Sequence, residues 1–493
     1  MHKERRKYYI KEYIGFCLFY LIVFAIMLNR HYSIDAFAYS RNSTNAYVGN
    51  LNLGRFGNYV VFGLFRNINI VTHQRIFTYI LIITLSIVSC TLYIHLKKHI
   101  HNLKYDIILK TSVIIVFCNV FMIDFFVYIE MVLAWCFGIV LVMLALLQID
   151  RNMTIKNWLL MFLFMLMSVS FYQALIGFFV YFALIDIYIL NEGKLTKSAF
   201  WNSAGVLLCG GGAGIFNIGL LRVLQKIGIA QAESRTEDRG LQGILSNIKE
   251  ICGNIENLFF NTHGFMPAYM VLIALIIMYG MIIVTLIYRR EAWQQYIYIF
   301  LLIVCVRGVV YVPHLLASTV WMAPRSIISY WSIFSMPCII LLVWNVDKLS
   351  LCIEGILAVI VMGTNIVNIQ MISENVIATN RLDEQVAYMI QQKIDLYEEK
   401  SGQIVDTIYI RNDDNPSYKY KAIDFQQFEL CERIYNVSWG CVEAINYYNN
   451  KEYITVLMDD ASFANRFSKK DWDSLNLDEQ MVFDGNSLYF VAY

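Results

Sequence analysis

Along the first 374 residues, apolar runs of about 17–22 residues alternate with short charged clusters, a length that lets one α-helix cross a bilayer core of about 30 Å. Eleven such runs are read, at 13–29, 75–95, 107–122, 128–148, 157–171, 173–190, 199–221, 267–288, 294–312, 326–345 and 349–370. Residues 107–148 and 157–190 are each too long for one span at about 1.5 Å per residue. Each is therefore divided, near Asp124 and near Ser170. Beyond residue 374 the pattern changes. An amphipathic stretch, RLDEQVAYMIQQKIDLYEEK, precedes strand-like runs at 407–410, 453–458 and 487–493, with polar turns such as NDDNPS between them. The predicted fold class is mainly α. A polytopic helical membrane domain of about 11 transmembrane helices spans 1–374, and a small extracytoplasmic α/β domain spans 375–493.

Composition removes the soluble alternative. Hydrophobic residues make up 58% and charged residues 16% of the chain, and mean hydropathy is +0.52; soluble chains carry about 25% charged residues. The net charge of +1 says little, but the placement of the charges sets an orientation. The N-terminal HKERRKYYIK, KKHIHNLK after the second run, Arg151/Lys156, Lys194/Lys197, Arg289/Arg290 and Lys348 fall on one side. The positive-inside rule makes that side cytoplasmic. Eleven spans then put the C-terminus outside, together with the opening loop 30–74, the polar segment 223–266 and the turn around Pro313–Arg325. The first apolar run lacks a small-residue cleavage site and is read as a retained helix. Most of the eleven cysteines lie inside apolar runs as small packing residues. Cys431 and Cys441 lie in the tail, where a disulfide is open. No CxxC or His/Cys cluster has zinc spacing, and no metal, cofactor or nucleic-acid partner is expected.

Candidate chemistry gathers on the outer side. Asp35 follows the first run by about six residues, in a loop whose other charges are arginines, Arg41 and Arg55, among aromatics such as Tyr39. Aromatics stack on sugar rings, guanidinium forks bind phosphate oxygens in pairs, and a carboxylate beside them can deprotonate an acceptor hydroxyl. The bland alternative is a solvated loop acid. Asp124 and Glu130 lie at the outer ends of the third and fourth runs, and Glu130 is far enough into an apolar stretch to need a cavity or a partner. Tyr172-Gln173 is the polar centre of the second hairpin, where interhelical hydrogen bonding is the competing role. Arg222, Arg235 and Arg239 border AESRTEDRG, which also reads as an ordinary salt-bridged surface. Arg325 sits in the apolar loop HLLASTVWMAPRS with no acid near it in sequence; it suits a lipid-linked phosphate or simple snorkelling. His314 is a lone histidine in that same loop. CGGGAG at 209–214 lacks a following GK[ST] and reads as close helix packing. Three N-x-[ST] matches fall on both sides of the membrane and are chance.

With these residues in place, the chain resembles the bacterial type II O-antigen (serotype-converting) glucosyltransferases, within the C-superfamily of polytopic membrane glycosyltransferases. The resemblance rests on Asp35 followed at a distance by Gly54-Arg55-Phe56, on Tyr128-Ile129-Glu130, on Phe171-Tyr172-Gln173-Ala174, and on a small outer domain ending in LYFVAY. It implies a hexose, glucose by analogy, carried on polyprenyl phosphate and transferred to a cell-surface polysaccharide at the outer face of the cell membrane. It also implies roles: Asp35, Glu130 and Asp124 as the catalytic acids, Arg55, Arg325, Arg41 and Arg222 on the donor phosphate, and Tyr39, Tyr172, Gln173 and His314 along the substrate. In that family the first outer loop often carries adjacent acids; here Asp35 is followed by Ala36, leaving Glu130 or Asp124 to complete a pair. A lipid-linked sugar flippase would share the spans and arginines but show internal repeats and broken helices in both halves. A polysaccharide polymerase would place a large outer loop between late spans.

Overall fold

The apolar runs fold as helix because straight-chain and branched aliphatics recur in them with few polar interruptions, and Pro337 is accommodated inside one of the helices. The computed structural model describes residues 2–37, 44–65, 68, 71–100, 105–233, 240–260, 262, 264–315, 317–412, 430–472 and 476–492. In chain order the helices are α1 (His2–Phe24), α2 (Thr44–Asn52), α3 (Phe56–Phe65), α4 (Gln74–His99), α5 (Asp106–Phe117), α6 (Ile123–Val127), α7 (Val132–Leu146), α8 (Ile155–Phe171) and α9 (Leu175–Leu190). They continue with α10 (Lys197–Lys226), α11 (Gly240–Phe260), α12 (Met270–Tyr288), α13 (Trp293–Val309), α14 (Val312–Leu315), α15 (Ser332–Val343) and α16 (Lys348–Ser401).

Local chemistry starts and stops them. Thr154 caps α8 through the Asn157 amide, and the Asn157 side chain reaches back to complete the box. Thr196 caps α10 and Asp347 caps α16, which runs for 54 residues and ends at left-handed Gly402. Among the described residues, six helices are long and apolar enough to cross a membrane, or seven if α5 and residues 120–127 count as one span bent by 42°. Four further apolar runs form shorter helices, α8, α9, α13 and Ile328–Val343. Outward faces carry exposed Ile22, Leu208, Ile283, Ile287 and Val367, while Trp135, Tyr181, Trp331 and Phe117 fill the interior. An apolar exterior around a close-packed interior is what lipid requires. This is a membrane protein.

The break between α5 and α6 shows how a helix can be interrupted inside such a bundle. Backbone groups freed there must find partners within the protein. Asn119 accepts from the Phe121 amide at 3.0 Å and donates to the Val116 carbonyl at 2.8 Å, and Asn365 of α16 accepts from the Val120 amide at 2.9 Å. The chain then turns through α6 and a short 3-10 segment at Ile129–Met131 before α7. The turn expected near Asp124 is thus a buried, structured stretch from Cys118 to Met131 rather than an exposed loop.

The basic segments gather at the opposite end. Lys97 donates to Tyr8 and Tyr93 and pairs with Asp106 at 2.8 Å; Lys110 pairs with Glu12 at 2.8 Å. The opening loop and the C-terminal tail share the other end, where Asn380 of α16 holds both the amide and the carbonyl of Tyr32.

The tail forms a four-stranded sheet, ordered β2-β1-β4-β3, from β1 (Thr407–Asn412), β2 (Ile454–Leu457), β3 (Met481–Asp484) and β4 (Ser487–Ala492). Only β3–β4 is antiparallel. Ile408 and Ile410 pair in register with Leu488 and Phe490 on the buried face, while Tyr409 stacks on Tyr489 at 4.6 Å on the other. Period-two alternation of this kind is what one packed face demands. Cys431 and Cys441 are free thiols. The amphipathic stretch 381–400 is no separate helix but the continuation of α16 across residue 374.

Candidate functional site

Three separate segments fold toward one cavity of about 370 Å³ at the end that carries the opening loop. His31 anchors the first. Its buried ring lies 2.8 Å from both the Asn29 and Phe126 carbonyls, and Gln74 of α4 sits 3.1 Å from its Nδ1. Two residues on, the Ser33 hydroxyl accepts from the Ala36 amide at 2.9 Å, which closes the turn presenting Asp35. The same hydroxyl donates toward the Glu130 carboxylate at 3.1 Å. Asp35 and Glu130 both line the cavity and lie within electrostatic reach of each other. Trp439, from the C-terminal domain, donates its indole N–H to Asp35 at 3.1 Å.

The second segment is the turn between α2 and α3. Gly54 sits at φ +72, and a Cβ there would meet Asn217 and Leu221 of α10 at 3.3 Å, so both its backbone angle and its surroundings call for glycine. Asn217 donates to the Gly54 carbonyl and Gln173 to the Leu53 carbonyl, each at 3.1 Å. This clamp sets Arg55 at the cavity wall with its guanidinium 5.3 Å from the centre of the Tyr172 ring.

The third segment follows α14. Pro324 opens a short 3-10 turn, and Arg325 donates through its own amide to Asp124 at 2.9 Å and through its guanidinium at 3.1 Å. The guanidinium also lies over the Tyr128 ring at 4.1 Å. Asp124 is fully buried behind Arg325 and does not line the cavity. Removing one member of such a pair strands a buried charge, so the acid read as a candidate at a helix mouth is here the seat of an arginine. Arg222, His314, Tyr172 and Gln173 line the cavity as well. Arg222 donates to Gln225 at 3.1 Å. His314 is held by Asn247 of α11, which donates to its carbonyl at 3.1 Å, and burial pushes its imidazole down to about 4. At neutral pH that ring is uncharged, and its buried Nε2 has no hydrogen-bond partner among the described residues.

Tyr39, Arg41, Arg235 and Arg239 lie outside the described residues. Gly210 and Gly214 of the CGGGAG stretch face Phe179 and Ile176 of α9 across a close helix contact. Sequence reasoning missed Asn217 and Trp439, and it quoted Tyr128 only as part of the resemblance, with no role. Asn217 had a signal, being an amide between aliphatics in the apolar run of α10; Trp439 had none, lying about four hundred positions from its partner.

Fold and cavity together define an integral membrane protein with an acid- and arginine-lined cleft at one end of its helical bundle. The chain belongs to the GtrII glucosyltransferase family: the family model described as Glucosyl transferase GtrII matches residues 24–336. No curated protein and no solved structure matches it. The matched stretch contains every described cavity-lining residue named above, but not Trp439, and ends within α15. The protein is accordingly a membrane glycosyltransferase.

Proposed function

We propose that the chain transfers a hexose, glucose by family, from a polyprenyl-phosphate donor to a cell-surface polysaccharide at the outer face of the membrane. One observation carries the reading: a single cavity collects two carboxylates, three arginines, a neutral histidine and aromatic rings at the end of the bundle away from the lysines. In this reading all eleven apolar helices cross the bilayer, the N-terminus is inside, and residues 375–493 form an outer domain seated on the transferase domain 1–374.

Asp35 is the base. It is the acid at the mouth of the cavity, where a carboxylate can take the acceptor's hydroxyl proton. Glu130 supplies from α7's entrance the second acid that Ala36 does not, and the Ser33 hydroxyl ties it to the Ala36 amide in the turn that presents Asp35. Arg55, Arg222 and Arg325 hold the donor phosphate. As the sugar–phosphate bond breaks, negative charge grows on the departing phosphate oxygens, and guanidinium groups already in place stabilise it without reorganising. Tyr172, Gln173 and His314 line the sugar path; an uncharged imidazole can both donate to and accept from hydroxyls.

Glycan analysis of cells expressing the wild type or Asp35→Asn tests this directly. Loss of a side-chain hexose with normal protein levels is expected; full glycan modification by the variant would remove Asp35 as base. Sidedness has its own test, in a background with exposed Cys252 and Cys352 replaced by serine. Ser468→Cys should react with an impermeant maleimide in intact cells and Lys98→Cys should not. The reverse pattern would invert the orientation.

A further inference from the structure

At the lysine-bearing end of the bundle, His95 and His99 lie one turn apart on α4, so their side chains share a face. Their rings are 5.0 Å apart. Asp186 reaches them from α9, and one ligand atom from each of the three lies within 4.8 Å of the others. Asp186 is 1% exposed. Its Oδ2 is 2.7 Å from His95 Nε2, while its Oδ1 is buried with no hydrogen-bond partner among the described residues. A carboxylate oxygen left that way is costly unless something cationic shares its space. His99 also lines a second pocket, of about 410 Å³, which gives the cluster a route to solvent.

We propose that His95, His99 and Asp186 bind one divalent first-row cation, of which zinc fits the donor set best. Two imidazoles and one carboxylate are ordinary ligands for zinc, and three protein ligands leave a fourth position open. The cation takes the place of the hydrogen shared between His95 and Asp186, His95 passing to its Nδ1–H tautomer so that no proton is lost. His99, at the pocket rim, swings in to complete the set, and the open position faces the pocket. The ion ties α4 to α9 at the end of the molecule opposite the transferase cavity. The inference stands apart from sugar transfer, because none of these residues touches that cavity.

The test uses the full chain in detergent, with any affinity tag removed and metal stripped by chelation. Titration with Zn²⁺ should give one equivalent bound, and Co²⁺ in its place should give visible absorption from a low-coordinate site. His99→Ala, a half-buried position that the fold tolerates, should weaken Zn²⁺ binding by about a hundredfold, a little beyond what loss of a supporting group costs in metal sites. Asp186→Asn should do the same. Zn²⁺ should also raise the thermal unfolding midpoint of the wild type but not of His99→Ala. Absence of binding at micromolar Zn²⁺ would reduce the cluster to a helix-to-helix hydrogen bond. Tight binding that survives in His99→Ala would put the ion elsewhere; either result overturns the proposal.

Discussion

Two stretches bring acid to the same end of the molecule and use it in opposite ways. In the opening loop, Asp35 stands at the cavity mouth, held by a turn that Ser33 closes and by an indole from another domain. In the broken helix, Asp124 is fully buried, and its carboxylate accepts from both the backbone and the side chain of Arg325. Residue type is alike. What differs is placement: Asp35 lines the cavity, and Asp124 is sealed behind Arg325, outside it. A carboxylate sealed behind an arginine is fixed equipment; one lining a cavity can meet a substrate.

The contrast breaks most sharply at Asp35. Asp35→Asn should leave expression and donor binding intact and cut turnover by about 10²–10⁴-fold, the scale of a lost general base; Glu130→Gln, read in parallel, reports whether the second acid shares that role. Next comes Asp124→Ala, which should destabilise the detergent-solubilised protein by about 3–5 kcal/mol because it strands Arg325. Adding Arg325→Met should return most of that stability and none of the transfer, which separates the pair's structural role from its phosphate role. Arg55→Ala should weaken donor binding by about tenfold to a hundredfold, and Arg55→Lys should restore only part of it, since lysine keeps the charge and loses the fork. Trp439→Phe should lower turnover by about threefold to tenfold, the worth of one hydrogen bond to an acid in a solvated setting. The smallest effect concerns pH. The His314 imidazole is depressed from an ordinary 6.5 to about 4 in the folded chain, so the unfolded chain takes the proton first. The stability it contributes is complete above about pH 6.5 and is lost as pH falls toward about 4. Thermal midpoints measured against pH should show a shallower acid decline in His314→Gln.

Much of this was legible before any coordinates. Apolar length located the long apolar helices because lipid leaves the backbone no other partner than itself, but it missed α11 in the polar segment 223–266. The loop holding Asp35 stood out because its charges are of one kind among aromatics. What stayed hidden was pairing across distance. Arg325 had no acid near it in sequence, and its partner lies 201 positions away. Asp124 therefore read as a free acid at a helix mouth. The opening loop also hid two helices, α2 and α3, whose short amphipathic runs fall below the length that periodicity can resolve. Strand β3 was missed although Asp484-Gly485-Asn486 before Ser487 is a tight-turn signal, with Gly485 at φ +59. Four residues on the near side of that turn were too few to show alternation.

The unbroken α16 sets a distance. Asn365 on it caps the interrupted helix at Val120, and Asn380, fifteen residues later, holds Tyr32 beside the cavity. At about 1.5 Å per residue these two grips are about 22 Å apart along a rigid rod, and at about 100° per residue they face about 60° apart around its axis. Beyond them Asp383 grips Arg433 and the Ile434 amide, so the C-terminal domain that holds the sheet is bolted to the same rod. One alanine inserted after Glu374 would leave every helix intact in composition. It would still turn the domain by about 100° about the rod's axis and carry Trp439 out of reach of Asp35. Inserting a further three would nearly restore the angle but lift the domain by about 6 Å in all. The rod thus works as a gauge block, machined in both length and angle.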